Sequence, residues 1–115
     1  MSAVSTANAA HVDWGQQCDG WHVLAGDDLS VIEERMPPGA AEVRHRHVRS
    51  RQFFYVLGGT ATLEREGVAH RLGTGQGLHV PPGAAHPMRN DSGEELRFLV
   101  VSSPRSHGDR EVVDG

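Results

Sequence analysis

The chain has 115 residues, enough for one domain with its own core and too few for two. Its formal charge of −4 sets 11 arginines and no lysine against 15 carboxylates, which excludes the basic excess of a general nucleic-acid binder. The lone Cys18 permits no internal disulfide, and no stretch approaches the roughly 18 apolar residues of a membrane helix, so a soluble cytoplasmic protein is expected.

Residues 1–10 are small and polar, without the basic start and apolar run of a secretory signal, and read as a flexible N-terminal tail. Around Cys18, the residues Trp14, Trp21, Val23 and Leu24 suggest an irregular lead-in and a first strand. The two indoles are expected as core or interface anchors, and a homodimer contact is placed there. Asp27-Asp28 makes a turn, after which 29–36 reads as a strand stopped by Pro37-Pro38-Gly39. Strands are then expected at about 41–48, 51–57, 60–65 and 69–72, with a tight hairpin at Glu66-Gly67. Gly73, Gly75 and Gly77 punctuate a loop, 78–80 makes a short strand, and Pro81-Pro82-Gly83 turns the chain so that His86 re-enters. The apolar run 96–102 is a core strand, and the polar segment 105–115 reads as a C-terminal tail on the outside, leaving the barrel to 11–104. About eight or nine short strands with turn signals between them and no helical periodicity specify an all-β sandwich or barrel.

The chemistry concentrates between Gly39 and Gly59. Successive side chains of a strand alternate faces, so His45 and His47 point the same way and Arg46 between them points outward. Gln52 opens the returning strand, rich in aromatic and β-branched residues, that Gly58-Gly59 ends. The spacing of Gly39, His45, His47, Gln52 and Gly59 resembles the first signature motif of the cupin superfamily, and Gly75, Pro81, Gly83, His86 and Asn90 match the second at every position. The resemblance implies a single jelly-roll-like cupin barrel with His45, His47, Gln52 and His86 as metal ligands. Three imidazoles and an amide oxygen suit one divalent transition metal, whether zinc, iron, nickel or manganese. Two plainer readings compete: a relic barrel whose histidines only hydrogen-bond, and a basic patch from Arg44 to Arg51, which lacks the aromatic platform that nucleic acid would need.

Gln52 stands where most metal-binding cupins carry glutamate. A neutral amide leaves the metal site one charge more positive and removes the nearest candidate base, which favours Lewis-acid chemistry over oxygen activation. The expected function is isomerisation, cyclisation or lyase-type proton transfer on a small carbonyl compound, with metal-bound water as the base. Cupins with the same ligand pattern include enzymes that linearise unsaturated uronates and aromatic polyketide cyclases. The uronate enzymes carry an aspartate and an aromatic residue after the last strand, and residues 100–103 here supply neither. The alternatives are a dioxygenase of quercetinase or cysteine-dioxygenase-like type, and a non-catalytic sensor or sugar-binding cupin. Tyr55, His79 and Arg89 are weaker catalytic candidates; alternation puts Tyr55 on the face opposite Gln52, and His79 is either a partner behind the ligands or a wall residue. Phe54, Val56 and Phe98 are expected to line a cavity with few charges inside, suited to an apolar or aromatic small molecule rather than a highly anionic sugar.

Overall fold

The computed structural model describes residues 3–113, which form strands and turns and no helix. Eleven strands occur among the described residues: β1 (Ala10–Trp14), β2 (Cys18–Ala25), β3 (Ser30–Met36), β4 (His45–His47), β5 (Arg51–Gly58), β6 (Ala61–Arg65), β7 (Val68–Leu72), β8 (Gly77–Val80), β9 (Met88–Arg89), β10 (Leu96–Ser103) and β11 (Arg110–Val112). A six-stranded sheet runs in the order β1-β2-β3-β10-β5-β8, a three-stranded sheet in the order β7-β6-β9, and β11 pairs with β4. All pairings are antiparallel.

Alternation explains which residues turn inward. On β10, Leu96, Phe98, Val100 and Ser102 are buried, and on β5 so are Gln52, Phe54 and Val56. The register sets Gln52 opposite Ser102 and Phe54 opposite Val100. One end of the barrel is filled by Met36, Leu63, Met88, Leu96 and Phe98, all with no exposed surface. Each such side chain contributes about 1.5–3 kcal/mol by leaving water, and this closed end is the platform for the other.

The motif glycines and the motif asparagine are structural. Gly59 has φ 86°, and a Cβ there would lie 2.5 Å from the Glu95 carbonyl oxygen, so neither the backbone nor the space admits a side chain. Asn90 is fully buried, and its amide donates to the carbonyls of Met36 and Glu94 at 3.0 and 2.7 Å, tying the β9–β10 turn to the end of β3.

Three segments differ from the sequence expectation. The strand expected over 41–48 is regular only at His45–His47, because Ala41 touches the barrel through an isolated bridge to Arg89. Where a C-terminal tail is expected, Arg110–Val112 form β11 against β4, and Asp109 is buried. At the other end β1 already begins at Ala10. Trp14 packs on the core and faces the interior, while Trp21 lies beneath the Arg97 guanidinium, 4.9 Å from its ring centre.

Candidate metal centre

A β-bridge builds the first part of the site. The amide of His45 donates to the His86 carbonyl at 3.1 Å and the amide of His86 donates back to the His45 carbonyl at 2.8 Å. This doubly bonded antiparallel pair puts the two side chains next to each other, with ring centres 4.5 Å apart. His47, two residues along β4, brings its ring to 5.1 Å from that of His45. One ring nitrogen from each of the three buried histidines lies within 4.8 Å of the others, close enough to share one ion.

Backbone carbonyls orient two of the rings. His45 Nδ1 lies 2.8 Å from the Val43 oxygen and His86 Nδ1 lies 3.0 Å from the Ala84 oxygen. For His45 the carbonyl assigns the proton of the neutral ring to Nδ1, which leaves Nε2 with its lone pair free. Gln52 joins through its carboxamide: Nε2 donates to the Ser102 hydroxyl at 3.1 Å, and Oε1 lies 3.1 Å from His86 Nε2.

That last contact is the chemical test of the site. Both nitrogens of His86 face an acceptor, the Ala84 carbonyl on one side and the Gln52 oxygen on the other, while a neutral imidazole carries a single N–H. A second proton would resolve the conflict, but burial, the largest influence on this ring, holds the His86 pKa below its ordinary value. Burial likewise lowers His45 to about 3 and His47 to about 4. His47 Nδ1 is itself buried with no hydrogen-bond partner among the described residues. Neutral, lone-pair-bearing imidazoles beside an amide oxygen are what a divalent cation requires, and with the His86 proton on Nδ1 a cation between Nε2 and the Gln52 oxygen would bind both.

His45, His47 and Gln52 open onto a cavity of about 460 Å³ between β1–β3 and the β4–β5 side of the barrel, with His86 buried behind them. Trp14, Ile32, Phe54 and Val100 give it apolar walls. Of the aromatic and aliphatic residues expected to line it, Phe54 does, whereas Val56 and Phe98 are consumed by the core. The expectation of few interior charges is corrected: Glu34, Glu42 and Arg110 also face the cavity. Desolvation sets the state of both carboxyls. It holds Glu34 well above the carboxylate range, with the charge of Glu42 pushing the same way, and raises Glu42 to about 7 despite the Met88 amide and Arg110.

The weaker sequence candidates lie elsewhere. Tyr55 is on the outer face, stacked on Phe53 with ring centres 6.4 Å apart. His79 is exposed on that face as well, paired in register with Phe53, which removes it from the ligands and from the cavity wall. Arg89 is held by Asp91 at 2.7 Å and Glu64 at 3.7 Å.

Sequence reasoning missed Glu34, Glu42, Ser102 as the orienter of Gln52, and the Asp109-Arg110 pair. For Glu34 a signal was available, since strict alternation along β3 places it with the buried Ser30 and Met36, while Glu33 and Arg35 face outward into ion pairs.

Comparison with known proteins agrees with this architecture. The cupin domain family profile matches residues 32–102. The chain is 34% identical over 83 residues to protein SchB of Streptomyces halstedii, covering 67% of this chain and 60% of that one. It is 35% identical over 69 residues to polyketide synthase CurC of Streptomyces cyaneus, covering 60% of this chain and 45% of the relative. It thus spans less than two thirds of either relative's length. Among solved structures, the polyketide cyclase RemF from Streptomyces resistomycificus superposes with a TM-score of 0.82 at 21% identity, covering 100% of this chain and 87% of that one. At that identity the likeness is one of fold.

Proposed function

The chain belongs to the cupin domain family, and from that premise we propose that it holds one divalent transition metal on His45, His47, His86 and the Gln52 carboxamide oxygen, and acts on a small carbonyl compound by isomerisation, cyclisation or lyase-type proton transfer. The observation that carries the metal assignment is the convergence of three buried imidazoles, with His86 set between two acceptors of which its single N–H can serve only one and a cation at Nε2 would satisfy the other. A metal in this position supplies Lewis acidity toward a carbonyl oxygen, and with four neutral ligands it keeps its full double charge for that purpose.

The chain's own residues do the rest. Ser102 holds the carboxamide so that its oxygen faces the histidines, while the backbone carbonyls of Val43 and Ala84 fix two of the rings. The apolar wall of Trp14, Ile32, Phe54 and Val100 excludes water from one side of the cavity and fits a flat or aromatic molecule. Two carboxyls and one guanidinium inside disfavour a highly anionic ligand. The names of CurC and RemF, a polyketide synthase and a polyketide cyclase, favour cyclisation of an aromatic polyketone over the other two reactions.

Metal analysis of protein purified without added metal tests the reading. We expect about one equivalent of a transition metal, lost from His86→Ala, followed by thermal stabilisation with neutral aromatic ketones. A chain that takes up none from zinc, iron, nickel or manganese solutions overturns it.

A further inference from the structure

Two glutamates, Glu34 and Glu42, share the cavity with His45 and His47. Glu34 lies on β3 between Gly20 of β2 and Phe98 of β10, two partners that offer its carboxyl no donor. Among the described residues no group donates a hydrogen bond to it. Its neighbours Glu33 and Arg35 show the ordinary fate of charge on this strand, paired outside with Arg97 at 3.1 Å and Asp19 at 2.5 Å. A carboxyl turned inward without a partner costs stability that a leucine or valine would not. Glu42 is held differently: its Oε1 accepts the Met88 amide at 2.9 Å, and its own amide donates to the Met88 carbonyl at 2.8 Å. The side chain is therefore fixed at the cavity wall, three positions before the first histidine.

We propose that Glu34 and Glu42 are the proton-transfer pair of this cavity, Glu42 as the base that takes a proton from the carbon next to the carbonyl group and Glu34 as the acid that delivers one to oxygen. The inference rests on the proposed carbonyl chemistry and supplies the base that Gln52, as an amide, is not.

The step balances within the pair. The Glu42 carboxylate forms an O–H bond, the C–H electron pair moves toward the carbonyl, and the enolate carbon attacks a second carbonyl carbon of the same molecule. As that C–C bond forms, the second C=O breaks its π bond and its oxygen takes the Glu34 proton. One proton has entered the pair and one has left it, so a single transfer from Glu42 to Glu34 resets the site. The different surroundings fit the two roles: the partnerless Glu34 stays protonated, whereas Glu42, near Arg110 and a backbone N–H, is the one that ionises. The other titratable groups are Cys18 from β2, whose thiol is pushed up by burial and then by Glu34, and His22, His45, His47 and His107 around the cavity.

Two readouts test the pair. In protein labelled with carbon-13 at the glutamate carboxyls, followed by NMR over pH with and without zinc, two resonances should titrate above the ordinary carboxylate range. One should vanish in Glu34→Gln and the other in Glu42→Gln; two ordinary titrations overturn the proposal. In heavy water, the zinc-loaded protein should accelerate deuterium entry into the methyl group of 2′-hydroxyacetophenone, and Glu42→Gln should slow this by about 100-fold at unchanged zinc content. Exchange equally fast in that variant, or no faster than buffer in the zinc-loaded wild type, overturns it too. Failure to bind zinc or another metal would instead remove the metal reading, and the carboxyl titration decides the pair without it.

Discussion

Ser102 and Gln52 stand directly opposite each other on β10 and β5, and the Ser102 hydroxyl accepts the Gln52 amide N–H at 3.1 Å. That bond ties down the nitrogen end of the carboxamide while the oxygen end meets His86. With the oxygen end toward His86, the carboxamide offers a metal its ligating atom. Ser102→Ala should weaken metal binding about 10–100-fold, as loss of a group that orients a ligand does. It should cost only about 1 kcal/mol of folding stability. Chelator competition and thermal melts measure the two effects separately, and the Gln52 side-chain amide resonance should move on metal loading in the wild type and less in the variant.

Gln52→Glu should act in opposite directions on binding and turnover. The added carboxylate neutralises part of the metal's charge, which tightens the metal and weakens its pull on a substrate oxygen. We expect slower loss of metal to a chelator together with slower exchange of the ketone protons. Unchanged exchange in a metal-loaded variant would remove the argument from charge.

The pH dependence of metal-free stability follows from the buried rings. His45 and His47 have folded pKa values lowered by burial to about 3 and 4, whereas the unfolded chain takes up protons on both below about pH 6.5. The unfolded state therefore binds more protons in this window, and stability falls as pH drops from about 6.5 toward 4, by up to about 1.4 kcal/mol per pH unit for each ring. Glu42 works the other way: with its pKa raised to about 7, it favours the folded state at low pH and loses that contribution as pH rises through about 7. Urea melts at pH 7, 5.5 and 4.5 should show a steeper acid loss in the wild type than in His45→Gln, which lacks one of the two rings.

Asp109 anchors the loop between two of the proposed ligands. Its carboxylate accepts the amides of Val48, Arg49 and Ser50, the last at 2.7 Å. Burial opposes its charge, but those donors outweigh it and hold the carboxyl below the ordinary range. Asp109→Ala should cost about 1–3 kcal/mol by leaving amides unpaired. Hydrogen exchange should lose protection at 48–50 first, and metal affinity should fall with it. Full protection of those amides in the variant would show that the carboxylate is not what holds the loop.

What could be read from sequence was local. His45 and His47 share a face because strands repeat every two residues, and Gln52 is set by the start of the next strand. The motif glycines and Asn90 mark turns whose geometry few other residues adopt. The unread parts depend on partners far along the chain. Nothing near Arg110 signals a strand, since all three residues of β11 are exposed and the pairing with β4 spans more than half the sequence. The inward turn of Glu34 follows from alternation, but its meaning comes from the cavity, which only the closed barrel creates. His79 misled for a related reason, because its short strand gives no sign of which face is covered.

The pairing of β11 with β4 couples the end of the chain to the middle of the site. Arg110 at the cavity, the carboxylate that clamps the 48–50 loop and the strand beside His45 and His47 all reside within a few residues of one another. A carboxypeptidase that nibbled back past this point would strip all three in one stroke, and a bulky tag fused there would press on the histidine strand. Truncation within 109–112 thus bears directly on whether the proposed metal site survives.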